Sequence, residues 1–274
     1  MSLKITTLIE NLPDRDGKLQ FEHGFSAYIE VEGNCLLFDT GQTGAFAKNA
    51  GSLGIDLSAT DAVILSHGHY DHTGGVPKLL SIIKKDTSIY VGKEFFLPKY
   101  KRLDDGTWKY NGNPFEKELL PELHFVEENV TALSENLYLF KNFARKNEFE
   151  SVNPKFFVKT DEGFVQDLFT DEIALGIKTE QGIVLIAGCS HVGIVNILEH
   201  VKKHLNLPVA AVLGGTHLVE AGEERLKETV AAFKRHGVKT IAVSHCTGEA
   251  GMELLQKKFP EGFVLNNTGN VLNF

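Results

Sequence analysis

Short apolar runs rich in β-branched residues recur along the chain, and stretches with apolar residues three or four apart follow several of them. Leu3 to Ile9 is the first run, and Phe25 to Val31 with Cys35 to Phe38 reads as a hairpin turning at Glu32-Gly33-Asn34. Thr43 to Leu53 has helical spacing and stops at Gly54, where a left-handed residue can end a helix. Asp61 to Ser66 is a buried type of strand. Val76 to Lys85 then places Pro77 in a first helical turn and apolar residues at 76, 79, 80, 82 and 83 on one face. Ser88 to Gly92 is a further short strand.

From about residue 93 to about 136 the periodicity fades into aromatic, charged and turn residues, among them Phe95, Phe96, Tyr100, Trp108, Tyr110 and Phe115. Long irregular segments in compact domains are more often functional than idle, so a lid or pocket wall stands here beside an ordinary surface insertion. A meander follows, with Leu137 to Phe140, Phe156 to Val158, and a hairpin of Ile173 to Thr179 and Ile183 to Ala187. Strand then alternates with helix: Ile194 to Leu205, Val209 to Leu213, Glu223 to His236, Thr240 to Val243, and Gly248 to Phe259. The whole, 1–274, reads as one α/β domain carrying the insertion.

Chemistry concentrates at strand ends. Ser-His-Gly-His-Tyr-Asp-His-Thr-Gly-Gly, from Ser66 to Gly75, puts His67, His69, Asp71 and His72 between a core strand and a helix. Imidazole and carboxylate suit zinc, iron or manganese, and Gly68 lets His67 and His69 turn toward one ion while Asp71 and His72 serve another. Three later strands each end in a histidine: His191 after Gly188-Cys189-Ser190, His217 after Gly214-Gly215-Thr216, and His245 after Ser244. In open α/β sheets this edge is where ligands bind. His23, His124, His200, His204 and His236 lack that placement and read as surface or helix residues.

Composition narrows the partners. The 28 basic and 36 acidic side chains give a net charge of −8, which disfavours nucleic acid and leaves a small, anionic molecule compatible with a metal-charged site. The odd cysteine count, Cys35, Cys189 and Cys246, and an N-terminus unlike a signal peptide point to a reducing, cytoplasmic setting. No apolar run approaches the ~20 residues of a membrane span.

His67-x-His69-x-Asp71-His72 at a strand end resembles the signature of the metallo-β-lactamase superfamily, and the later matches extend the likeness over nearly the whole chain. The resemblance implies a four-layer αββα sandwich with one or two divalent transition-metal ions at one edge, zinc first and manganese or iron as alternatives. It implies that His67 and His69 hold one metal and Asp71, His72 and His245 the other. Asp39, by itself an acid at a tight turn, becomes in this light a group that braces the metal-binding loop. Gly188-Cys189-Ser190-His191-Val192-Gly193-Ile194, Gly214-Gly215-Thr216-His217-Leu218 and Ser244-His245-Cys246-Thr247-Gly248 resemble a narrower group, dihydropterin-forming enzymes related to the methanopterin-pathway ribofuranosylaminobenzene 5′-phosphate synthase.

One departure stands out. The superfamily's bridging aspartate is absent, and Cys189 occupies its strand end. Either Cys189 bridges as a thiolate, or His191 supplies the missing ligand while Cys189 packs; His191 is the preferred ligand. Asp171 or Glu172 falls where a further superfamily histidine is expected, so Asp171 joins Cys189 as a less certain contributor. His217 is assigned to substrate or transition-state contact. The reading that follows is a metal-dependent hydrolase of a small anionic substrate, with Asp71 also steering the proton of a water. A pterin-linked transferase, in which Phe95, Trp108 or Tyr110 would stack on a heterocycle, and a non-hydrolytic iron- or ligand-binding protein are the alternatives.

Overall fold

The computed structural model describes residues 2–274. In chain order the strands and helices are β1 (Leu3–Ile9), β2 (Ser26–Val31), β3 (Asn34–Phe38), α1 (Ala45–Ser52), β4 (Ala62–Ile64), α2 (Tyr70–Thr73), α3 (Val76–Leu80) and β5 (Ser88–Gly92). Next come β6 (Lys99–Arg102), β7 (Trp108–Tyr110), β8 (Leu123–Val126), β9 (Val130–Ala132), β10 (Leu137–Phe140), β11 (Phe156–Thr160), β12 (Gly163–Gln166), β13 (Ala174–Thr179) and β14 (Gly182–Ala187). The chain ends with α4 (Ile194–Leu205), β15 (Val209–Gly214), α5 (Glu223–His236), β16 (Thr240–Val243), α6 (Gly248–Lys258), β17 (Phe263–Leu265) and β18 (Val271–Asn273).

Two seven-stranded sheets form, in the orders β18-β1-β2-β3-β4-β5-β8 and β17-β16-β15-β14-β13-β10-β9. Period-two alternation decides what each face buries. In β14, Val184 and Ile186 point between the sheets against Ile29, Leu36, Phe38 and Ile64, while Ile183 and Leu185 point outward under α4 and α5. In β3, Leu37 faces the other way, onto Phe46 of α1 and Val76 and Leu79 of α3. Helices thus cover the outer face of each sheet, and the architecture is an αββα sandwich. Each fully buried Ile, Leu, Val or Phe contributes about 1.5–3 kcal/mol of transfer free energy, which is why both faces of the central strands are apolar.

The differences from the sequence reading are local. The helix expected over Val76 to Lys85 closes after Leu80, because the amides of both Ile82 and Ile83 turn back to the Leu79 carbonyl. The stretch from 93 to 136 is not structureless: β8 and β9 extend the edges of the two large sheets, and β6 and β7 join β11 and β12 in a separate four-stranded sheet. Lys-Tyr-Lys-Arg in β6 and the exposed Trp-Lys-Tyr of β7 are too polar to give a strand pattern, since only one side of this small sheet is covered. β17 and β18 were too short to announce themselves. No helix among the described residues is long and apolar enough to cross a membrane.

Candidate metal centre

The C-terminal ends of β3, β4, β14, β15 and β16 meet at one edge of the sandwich, and the chain bends sharply as it leaves them. Asp39, Ser190, His217 and His245 all adopt left-handed backbone conformations, with φ between 45° and 60°. Such conformations cost about 1–3 kcal/mol each for residues other than glycine and persist where the surroundings impose them. Close approach demands glycine nearby: a Cβ on Gly215 would lie 2.5 Å from Cys246 Sγ, and one on Gly188 would lie 2.1 Å from Ser66 Oγ.

Hydrogen bonds set the imidazole tautomers. The fully buried Asp39 carboxylate accepts from the Ser66 amide (2.7 Å), the Ser66 hydroxyl (2.7 Å) and His72 Nδ1 (2.6 Å). With its one proton on Asp39, the Ser66 hydroxyl accepts from His67 Nδ1 at 2.9 Å. Both rings therefore carry their proton on Nδ1 and turn a bare Nε2 inward; His67 Nε2 has no partner. Asp39 thus orients both rings, one directly and one through Ser66. On the other side, the Gly24 amide donates to Asn11 Oδ1, which fixes that side-chain amide. The same oxygen accepts from His245 Nδ1 at 3.0 Å, so His245 too presents a bare Nε2.

Asp71 Oδ2, His72 Nε2, Cys189 Sγ and His245 Nε2 converge, all four within 4.8 Å of one another. The two bare nitrogens stand 3.1 Å apart and Cys189 Sγ is 3.2 Å from each. Asp71 Oδ2 is 3.6 Å from His72 Nε2 and 3.4 Å from His245 Nε2. Lone pairs facing each other at this range repel unless a cation lies between them, and the separations resemble the edges of about 3.3–3.6 Å expected around a tetrahedral ion with bonds of about 2.0–2.3 Å. The donor set fits a metal. The local electrostatics ask for positive charge as well: burial opposes protonation of His245, yet the adjoining Asp71 carboxylate, which would accept from a protonated Nε2, and the charges of Cys246 and Glu10 lift it to about 9.

A second group lies beside the first. The rings of His67, His69 and His191 stand 4.6 to 4.9 Å apart, centroid to centroid, and His67 and His191 nitrogens share Cys189 Sγ as a common neighbour. Burial above all, then neighbouring positive groups, holds these three imidazoles well below their ordinary pKa, which keeps them neutral donors. His191 stacks flat on Phe169 at 4.0 Å, and both its ring nitrogens lack partners among the described residues. The Asn111 side chain sits 3.2 Å from His69 Nε2, and His69 stands beside the converging donors of His67, Cys189 and His191 without joining them within 4.8 Å.

Two less certain residues are placed by the structure. Cys189 Sγ belongs to all three candidate donor groups, the third of which joins it to His217 and Cys246. Burial pushes its thiol up, so it would ionise only beside a cation. Asp171 lies outside the donor groups: its Oδ2 accepts from the Gly68 amide (2.8 Å) and its Oδ1 from Lys99 Nζ (2.9 Å). Neighbouring Glu172 accepts from the amides of His191 and Val192, so this pair holds both ligand loops from behind.

His69, Asp71, Cys189, His191 and His245 line a cavity of about 310 Å³. Its wall includes Lys101 and Lys109 from the small sheet, over the rings of Phe156 and Tyr70 respectively. His217 is there, buried, with both ring nitrogens unpartnered. The aromatics expected to stack on a heterocycle are engaged elsewhere: Phe95 is in the core, Trp108 stacks on Phe164 at 4.0 Å, and the Tyr110 hydroxyl donates to the Asn113 carbonyl. Phe156 and Tyr70 are the aromatics that line the cavity. His23, passed over as a surface residue, reaches in with Nε2 3.2 Å from Asp71 Oδ2; the loop from β1 carries no periodic signal that would have found it.

Comparison with known proteins bears on the family. The profile of the Metallo-beta-lactamase superfamily matches residues 19–189. The 7,8-dihydropterin-6-methyl-4-(beta-D-ribofuranosyl)-aminobenzene-5′-phosphate synthase of Methanocaldococcus jannaschii is 32% identical over 291 aligned positions, covering 100% of this chain and 97% of the relative. Tm1679, a metal-dependent hydrolase of the beta-lactamase superfamily, superposes with a TM-score of 0.86 at 32% identity over 98% of each chain. A diphosphatase of the PhnP family shares the fold alone, with a TM-score of 0.55 and 14% identity over 100% of this chain and 98% of that one. Motif, sandwich and full-length likeness lead to one assignment: the chain belongs to the metallo-β-lactamase superfamily.

Proposed function

We propose that the protein is a metal-dependent hydrolase of a small phosphate- or carboxylate-bearing substrate. The observation that carries the proposal is the convergence of two donor groups on one cavity walled by Lys101 and Lys109. His67, His69 and His191 would hold one ion, Asp71, His72 and His245 another, with Cys189 between them. When bound, a divalent ion lowers the pKa of a coordinated water toward neutrality and draws electron density from a carbonyl or phosphoryl oxygen. Zinc suits nitrogen and thiolate together; iron follows, and the soft sulfur of Cys189 weighs against manganese.

The chain's own groups supply the rest. Asp71 Oδ2 is placed to accept a proton from water, with His23 Nε2 donating to it. His217 offers a ring N–H to a developing oxyanion. Lys101 and Lys109 attract the anion, and Phe156 and Tyr70 shield the reacting centre from bulk water. The small sheet, which contains part of 93–136, acts as the pocket wall. The partner is a small molecule, since the acidic chain offers nucleic acid little, and three free thiols suit a reducing, cytoplasmic compartment.

Metal content of protein purified without added metal, followed by reconstitution and a screen of phosphoesters and lactones, tests this. About two ions per chain and ester turnover that disappears in His69→Ala are expected; turnover persisting in metal-verified His69→Ala would sink the assignment. The 32% identity to the dihydropterin synthase favours a second reading, pterin-linked transfer on the same metals. Tight dihydropterin binding with no ester turnover would select it.

A further inference from the structure

The cavity does not end at His217. A second chamber of about 350 Å³ shares His191, His217 and Glu220 with the first and runs back along Phe169 to Arg225. Arg225 is on the first turn of α5, and its buried Nε has no hydrogen-bond partner among the described residues. The acids whose charge it feels are occupied elsewhere. Glu150 accepts from the Val195 and Asn196 amides and from Asn147, while Glu220 accepts from the Asn153 side chain. Lys155, the other cation of this chamber, is already paired with Asp104 at 2.8 Å.

A guanidinium whose Nε is buried without a partner has lost its hydration there and regains a bond only if an acceptor enters. Its planar fork suits the two oxygens of a phosphate or carboxylate. His217, nine-tenths buried with both ring nitrogens free, stands where the two chambers meet and can donate to the same group. We propose that this second chamber binds an anionic group of the substrate on Arg225, so that the substrate presents negative charge on both sides of His217: toward Lys101 and Lys109, and toward Arg225. This deepens the hydrolase reading and rests on it only for the identity of the bond cleaved.

Inorganic phosphate is the probe, titrated calorimetrically into the metal-loaded protein and into metal-verified Arg225→Gln and Arg225→Lys. Loss of a charge-assisted anion contact predicts affinity about tenfold or more weaker in Arg225→Gln, with Arg225→Lys between it and wild type. Equal affinity in wild type and Arg225→Gln overturns the proposal; should Arg225→Gln fail to fold, equal affinity in Arg225→Lys and wild type does so, since a point charge cannot replace the fork. The two readings fail separately. Arginine-dependent phosphate binding without ester turnover leaves the chamber and removes the hydrolase; ester turnover with arginine-independent phosphate binding does the reverse.

Discussion

Asp39→Asn is the most informative single change, because it leaves volume and backbone almost unaltered and attacks the tautomers. The carboxylate accepts three hydrogen bonds, from the Ser66 amide, the Ser66 hydroxyl and His72 Nδ1. The Ser66 hydroxyl and His72 Nδ1 share Oδ2, while the Ser66 amide takes Oδ1. An NH₂ in the place of Oδ2 opposes both donors at once: His72 moves its proton to Nε2, the atom that faces Asp71, Cys189 and His245, and the Ser66 hydroxyl turns its proton away, so an inward lone pair is capped. An NH₂ in the place of Oδ1 opposes the Ser66 amide and leaves His72 Nδ1 on a neutral oxygen. Either way the brace loses its charge-assisted bond. A lost charge-assisted bond is worth about 1.5–3 kcal/mol, or about 10- to 100-fold in metal affinity. Competition with a chromophoric zinc chelator measures this directly, and nitrogen chemical shifts of the imidazoles report the tautomer in metal-free protein. Affinity within twofold of wild type, with His72 still protonated on Nδ1, would refute the reasoning and return Asp39 to a turn-forming role.

Two further changes probe the scaffold. Lys99 is 2% exposed and pairs with Asp167 (2.7 Å) and Asp171 (2.9 Å), so Lys99→Met strands two buried carboxylates and should cost about 3–5 kcal/mol in urea unfolding; a loss under about 1 kcal/mol would show that the acids find other partners. Glu150 caps the amides of Val195 and Asn196 at the start of α4, and burial, outweighing those bonds, raises its pKa. Between its unfolded and folded pKa the native state holds the extra proton, so its contribution falls as pH rises through that window. The stability advantage of wild type over Glu150→Gln should therefore decline with rising pH in urea titrations, and parallel profiles would refute this.

How much of this was legible in the sequence follows from how far each signal extends along the chain. α4 and α5 could be bounded to the residue, since Gly193, Asn206 and Gly237 punctuate a clear helical stripe. The strand ends that carry His67, His191, His217 and His245 were visible because parallel strands deliver their termini to one edge. The small sheet was not, because β6 and β7 are charged and half-covered, and their lysines matter only once β11 places them over the cavity.

The supporting residues were less readable still, for a reason intrinsic to the site. His245 depends on Asn11, 234 positions away, which depends in turn on the Gly24 amide; Glu10 accepts from the His245 amide across a similar gap. Each of these is an ordinary polar residue at its own address. Its role comes from which lone pair it leaves bare elsewhere, and that relation exists only after both sheets have closed. Cys189 shows the converse. The missing aspartate singled out its position, but the sequence left packing and ligation both open, and only the fold shows the 3.2 Å contacts to two imidazoles. A thiol that touched only apolar neighbours there would have meant a site with one donor fewer; one held beside two bare nitrogens puts sulfur within reach of whatever the centre binds.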